Sequence, residues 1–97
     1  MTLPVVWLPE ADAELKETLA RYQSIRPELG LRFAEAVDES VEAIAAAPLR
    51  FAVVDKGRRR AGVRRFPYGI FFVVEDTRIV VIACFHGKRQ PKHWQLR

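Results

Sequence analysis

The feature that most constrains this chain is a hairpin that is apolar on both sides. Val63 to His86 reads VRRFPYGIFFVVEDTRIVVIACFH and predicts three adjacent strands. Val63–Phe66 leads through Pro67-Tyr68-Gly69 into Ile70–Val74, and Glu75-Asp76-Thr77-Arg78 turns the chain back into Ile79–Phe85. Val, Ile and Phe fill the runs and Gly, Pro and Asp separate them, as strands and turns require. Alternation sends Ile70, Phe72 and Val74 to one face and Phe71 and Val73 to the other. In the next strand it sends Ile79, Val81, Ala83 and Phe85 one way and Val80, Ile82, Cys84 and His86 the other. Two apolar faces imply that both are covered.

The rest of the chain offers cover for one of them. Val5–Leu8 is a short apolar run that predicts a first strand. Pro9 suits the first helical position, and Glu10, Asp12 and Glu14 follow where the helix dipole favours negative charge. Ala11, Leu15, Leu19 and Tyr22 recur at spacings of a helix running about Pro9–Ser24. Pro27 and Gly30 interrupt the pattern. Phe33, Val37, Val41 and Ile44 then form the buried stripe of a second helix, about Glu28–Ala47, ended by Pro48. Phe51–Val54 adds an extended edge, and Lys56-Gly57-Arg58-Arg59-Arg60 reads as a basic exposed loop.

This order predicts an α+β fold in one domain spanning residues 1–97. An N-terminal strand and a two-helix antiparallel hairpin would pack on one face of a small, largely antiparallel sheet. The eleven residues after His86 are too few and too charged to shield the other face. An apolar face left over predicts a partner laid across it.

Charge is divided unevenly. Residues 1–48 hold four Lys/Arg against nine Asp/Glu, and residues 49–97 hold twelve against three, which together return the net +4. The basic half predicts an acidic partner. The single cysteine excludes an internal disulfide, Met1–Pro4 has no signal-peptide character, and no apolar run reaches transmembrane length. A cytoplasmic protein without membrane contact is the expectation. Two histidines without neighbouring thiols or spaced carboxylates predict no metal site, and no motif calls for a cofactor.

Several stretches together resemble the RelE/ParE superfamily of toxins from type II toxin–antitoxin systems. They are the Ala11, Leu15, Leu19, Tyr22 helix, the Phe33, Val37 helix, the run from Val63 to Phe72, and a closing His86-Gly87-x-Arg89-x-Pro91-x-x-Trp94. The ending is nearer the ParE branch, with Gln90 where that branch commonly has aspartate. The resemblance implies inhibition of DNA gyrase without catalysis, and neutralisation by a cognate, ParD-like antitoxin in a hetero-oligomer. On that reading the basic second half and tail offer Arg58, Arg59, Arg60, Arg89 and Trp94 for target contact, and the helical hairpin and free sheet face offer Leu19, Tyr22, Phe33, Val37, Phe71 and Val73 to the antitoxin. The RelE branch offers the alternative of a ribosome-dependent mRNA endoribonuclease.

Cleavage through a 2′-hydroxyl needs acid–base groups and cations for the transition state, which Arg64, Arg65, His86 and Arg89 could supply. A tyrosine or second acid–base residue after the last strand is missing. His86 reads more readily as a structural residue capping its strand end than as a catalyst. Arg64 and Arg65, if in a strand, point to opposite faces. Cys84 reads as a small buried hydrophobe. Trp94 either seals the sheet edge or anchors a contact.

Overall fold

The computed structural model describes residues 2–87. A strand β1 (Val5–Trp7) opens the chain, followed by helices α1 (Pro9–Ile25) and α2 (Pro27–Ala46). A single 3-10 turn over Pro48–Arg50 leads to β2 (Val53–Asp55), β3 (Arg58–Gly62), β4 (Tyr68–Val74) and β5 (Ile79–His86). The strands form one sheet in the order β1-β5-β4-β3-β2. β1 runs parallel to β5 and every other neighbour pair is antiparallel. The predicted α+β architecture is therefore the one observed. Among the described residues, no helix is long and apolar enough to cross a membrane.

The helices form where the sequence places their signals. Pro9 and Pro27 each stand in a first helical turn, where the missing N–H removes no intrahelical bond. Only Arg26 separates α1 from α2. Its φ of −156° is extended, as the residue before a proline is steered to be. Gly30 lets the helices close on each other, because a Cβ there would collide with Gln23 Cγ. The core then forms between the hairpin and one sheet face. Phe33 is fully buried and meets Tyr22, Phe66 and Tyr68 at ring-centroid distances of 5.2, 5.1 and 5.6 Å. Tilted and edge-on aromatic pairs each add about 0.5–1.5 kcal/mol beyond their buried area.

Three expectations need correction. The basic stretch expected as a loop is strand β3, and the expected strand Val63–Phe66 is a turn. The reversal comes earlier, at Lys56-Gly57, whose φ values of 43° and 78° make a two-residue hairpin turn between the paired Asp55 and Arg58. The Phe66 N–H donates to the Val63 carbonyl at 3.0 Å to close the second turn. Tyr68 and Gly69, expected in a turn, already belong to β4.

The second correction concerns phase. A bulge lies where Phe71 pairs with Ala83 but Phe72 pairs with Val81, so Ile82 is the extra residue. Beyond it the alternation flips. Cys84 joins Ile79 and Val81 on the helical side, while Ala83 and Phe85 join Val80 and Ile82 on the far side.

Third, the far face of β5 is not open. Val80, Ile82 and Phe85 expose 4, 4 and 2% of their surface, with Leu8, Phe71 and Val73 packed against them. The apolar residues on the far face of β5 are therefore not left open to solvent.

Candidate functional site

Each of the three consecutive arginines expected to meet a target has a contact within the chain, and Arg60 is also exposed. Arg58 pairs with Asp55 at 3.1 Å, with side chains only 12% and 28% exposed. Arg59 lies on the opposite side of the strand and donates to the Phe51 carbonyl at 2.6 Å. Arg60 lies across Gly69, where a Cβ would come within 2.5 Å of its Nε, and its guanidinium sits 5.9 Å from the Phe71 ring centre. Alternation along β3 splits the trio between two faces, so they present no common surface. Arg89 and Trp94 fall outside the described residues.

Arg64 and Arg65 behave otherwise. Both stand at the tip of the Val63–Phe66 turn and both are exposed. They do not point to opposite sheet faces, because they are not in a strand. Together they line a cleft of about 330 Å³ against α2, with Arg32, Glu35 and Glu39 on its wall and Leu29, Ala36 and Phe66 in its apolar lining. Arg65 has a φ of 69°. That is the left-handed region which the third residue of such a turn ordinarily fills with glycine. The turn is anchored from below. Phe66 packs edge-on against Tyr22 and Phe33, and Ser40 Oγ donates to the Gly62 carbonyl at 3.0 Å.

His86 occupies a different cleft, of about 220 Å³, between α1 and the ends of β4 and β5. Its lining is Glu14, Glu17, Thr18, Arg21, Tyr68, Cys84 and His86. Arg21 Nη2 donates to the Tyr68 hydroxyl at 3.2 Å and to Thr18 Oγ1 at 3.3 Å. Tyr68 meets the His86 ring edge-on at 5.3 Å. β1 stops at Trp7, and beyond it the Cys84 N–H donates to Glu14 Oε1 at 3.2 Å instead of to a strand. Burial, reinforced by Glu14, pushes the Cys84 thiol up to about 12, which keeps it protonated and unreactive near neutrality. Burial also raises Tyr22, with Tyr68 acting in the same direction and Arg21 against it.

Of the residues expected to meet an antitoxin, Phe33 and Val37 are core, 0 and 4% exposed, and have no surface to offer. Their helical spacing marks the face packed on the sheet, which is why a periodic stripe is a poor guide to an interface. Leu19, Tyr22, Phe71 and Val73 are half-buried. Large apolar residues that do reach solvent were not singled out from the sequence: Val6 in β1, Ile25 and Leu31 on the helices, Leu49 in the 3-10 turn, and Val53 and Val54 in β2. For Val53 and Val54 the available signal was the short strand before the Lys56-Gly57 turn.

A helical hairpin over one face of a five-stranded mixed sheet, with charged clefts at its margins, defines a small α+β domain. A solved chain described as the chromosomal ParDE TA system from P. aeruginosa superposes with a TM-score of 0.75 at 20% identity, over 88% of this chain and 96% of that one. At that identity the likeness speaks for the fold. No curated protein sequence matches. The family model for the ParE toxin of type II toxin-antitoxin system, parDE, matches residues 5–91, and the chain belongs to that family.

Proposed function

We propose that this protein is a growth-inhibiting toxin that acts by binding DNA gyrase, catalyses nothing itself, and is neutralised by a cognate antitoxin. The observation supporting a non-catalytic role is the separation of the candidate nuclease groups. Arg64 and Arg65 line the cleft against α2 and His86 lines the one against α1, and among the described residues the two linings share none. A reaction centre needs its acid, base and charge-stabilising groups around one reacting atom, within hydrogen-bond reach. The antitoxin takes the half-buried Leu19, Tyr22, Phe71 and Val73, together with the exposed Leu49, Val53 and Val54. A long-lived complex draws on apolar surface of that kind.

The test is a supercoiling assay with purified gyrase. The protein should block supercoiling, and adding antitoxin should restore it. His86→Ala should inhibit as well as the parent. Intact supercoiling at saturating protein overturns the proposal. The RelE-like alternative draws on one observation, that Glu14, Arg21, Tyr68 and His86 share a cleft. It predicts mRNA cleavage on ribosomes that His86→Ala abolishes.

A further inference from the structure

The cleft between α2 and the Val63–Phe66 turn is lined by three arginines. Among the described residues, Arg32, Arg64, Arg65, Glu35 and Glu39 make no side-chain hydrogen bond or ion pair. This contrasts with Arg58, Arg59 and Arg60, each held by a named contact. Position sharpens the contrast. Arg65 is held at positive φ, where a non-glycine residue costs backbone energy, and among the described residues its own side chain makes no hydrogen bond or ion pair that would favour that conformation. Strain of this sort concentrates at binding and catalytic sites. The frame is rigid, since Phe66 is locked into the aromatic core, so little ordering entropy opposes binding.

We propose that this cleft is the surface through which the toxin grips its protein target, and that its occupant is an acidic segment carrying an apolar side chain. The carboxylates meet Arg64 and Arg65, whose planar forks suit bidentate pairing, and the apolar group seats against Leu29 and Phe66. Glu35 and Glu39 on the same wall disfavour a phosphate backbone and favour a peptide of mixed character. A charged, polar lining also fits a transient encounter with a target better than the long-lived antitoxin complex. The inference rests on the toxin reading, but not on the target being gyrase.

The test uses Arg64→Ala/Arg65→Gly, with Arg32→Ala reaching the same cleft from the helix and Arg78→Ala as a charge control at the β4–β5 turn. Arg65→Gly removes the guanidinium and relieves the positive φ, so thermal stability should hold or rise while function falls. Each cleft substitution should weaken target engagement about tenfold, read as recovery of colony formation on induction and, if gyrase is the target, as a higher inhibitory concentration in supercoiling. Antitoxin affinity should stay within about threefold of the parent, less than the loss of one such contact. Arg78→Ala should arrest growth like the parent. Undiminished growth arrest by both cleft variants overturns the proposal, and so does a loss of antitoxin affinity that parallels the loss of toxicity. If the parent arrests growth without inhibiting gyrase, and the cleft variants do not arrest it, the gyrase reading fails and the cleft assignment stands. A parent chain that does not arrest growth sinks both.

Discussion

Cys84 gives this fold a built-in alkaline limit. The residue is 2% exposed and lies just past the end of β1, with Glu14 Oε1 accepting from its backbone N–H. Burial first, and Glu14 second, raise it from an ordinary value near 9 to about 12. The sign follows from proton counting. Below about pH 9 both the folded and unfolded chains keep the proton, and the group leaves stability unchanged with pH. Above that, the unfolded chain releases a proton that the folded chain retains, so stability falls until about pH 12, where both are ionised. Each pH unit in that window costs about 1.4 kcal/mol, or roughly 2 kcal/mol by pH 10.5. Urea denaturation of the parent and Cys84→Ala should be compared at about pH 8 and about pH 10.5. Lysine and tyrosine titration cancels in the difference, and the packing loss in the variant is a constant offset. The parent's advantage should shrink by about 2 kcal/mol across that interval. Curves that stay parallel within about 0.5 kcal/mol refute the buried-thiol argument. Glu14→Gln should retain most of the slope, because burial is the larger cause.

Two further predictions concern packing. Phe33→Ala removes the ring shared by Tyr22, Phe66 and Tyr68 and should cost about 3–5 kcal/mol in urea denaturation, a large part of what a domain this size possesses. A loss under about 1 kcal/mol would mean that the aromatic cluster closes over the gap. Gly69→Ala meets only the far end of the Arg60 side chain, so that guanidinium should swing off Phe71 while stability changes by less than about 1 kcal/mol, the strand gain offsetting the lost cation–π contact. An unmoved Arg60 Nε–H resonance, or a loss beyond about 2 kcal/mol, contradicts that account.

What the sequence showed plainly is what rests on periodicity and on proline. The two helices end within about a residue or two of where their stripes and prolines put them, as such signals allow. β4 and β5 follow from their Val, Ile and Phe runs. The basic stretch was misread because three successive arginines suggest solvent. A strand tolerates them when alternate side chains find an aspartate, a carbonyl and an aromatic ring, and none of those partners is adjacent in sequence except Asp55. The bulge at Ile82 left no mark in the alternation, since residues on both faces are apolar and a one-residue slip exchanges one hydrophobe for another. That slip is what carries Cys84 and His86 to the helical side, and so what builds the cleft they share with Glu14 and Tyr68. The exposure of Arg64 and Arg65 was equally hidden. It depends on a turn whose third residue is an arginine where glycine is the usual signal.

The charge asymmetry of the chain acquires a narrower meaning from this. Lys56 to Arg65 holds six basic residues in ten, and counted by formal charge they form one basic patch. Counted by what each side chain touches, they divide. Arg58 closes the β2–β3 hairpin on Asp55, Arg59 bonds the Phe51 carbonyl, and Arg60 lies over Phe71 of β4. Arg64 and Arg65 carry theirs undiminished at the rim of a cleft with a hydrophobic lining. A salt bridge already made inside the chain must be broken before the same cation can serve a partner, whereas an unengaged guanidinium loses only its hydration. If the proposed target surface is correct, partner binding follows from which arginines remain uncommitted after folding, and the net charge of the segment is a poor measure of it.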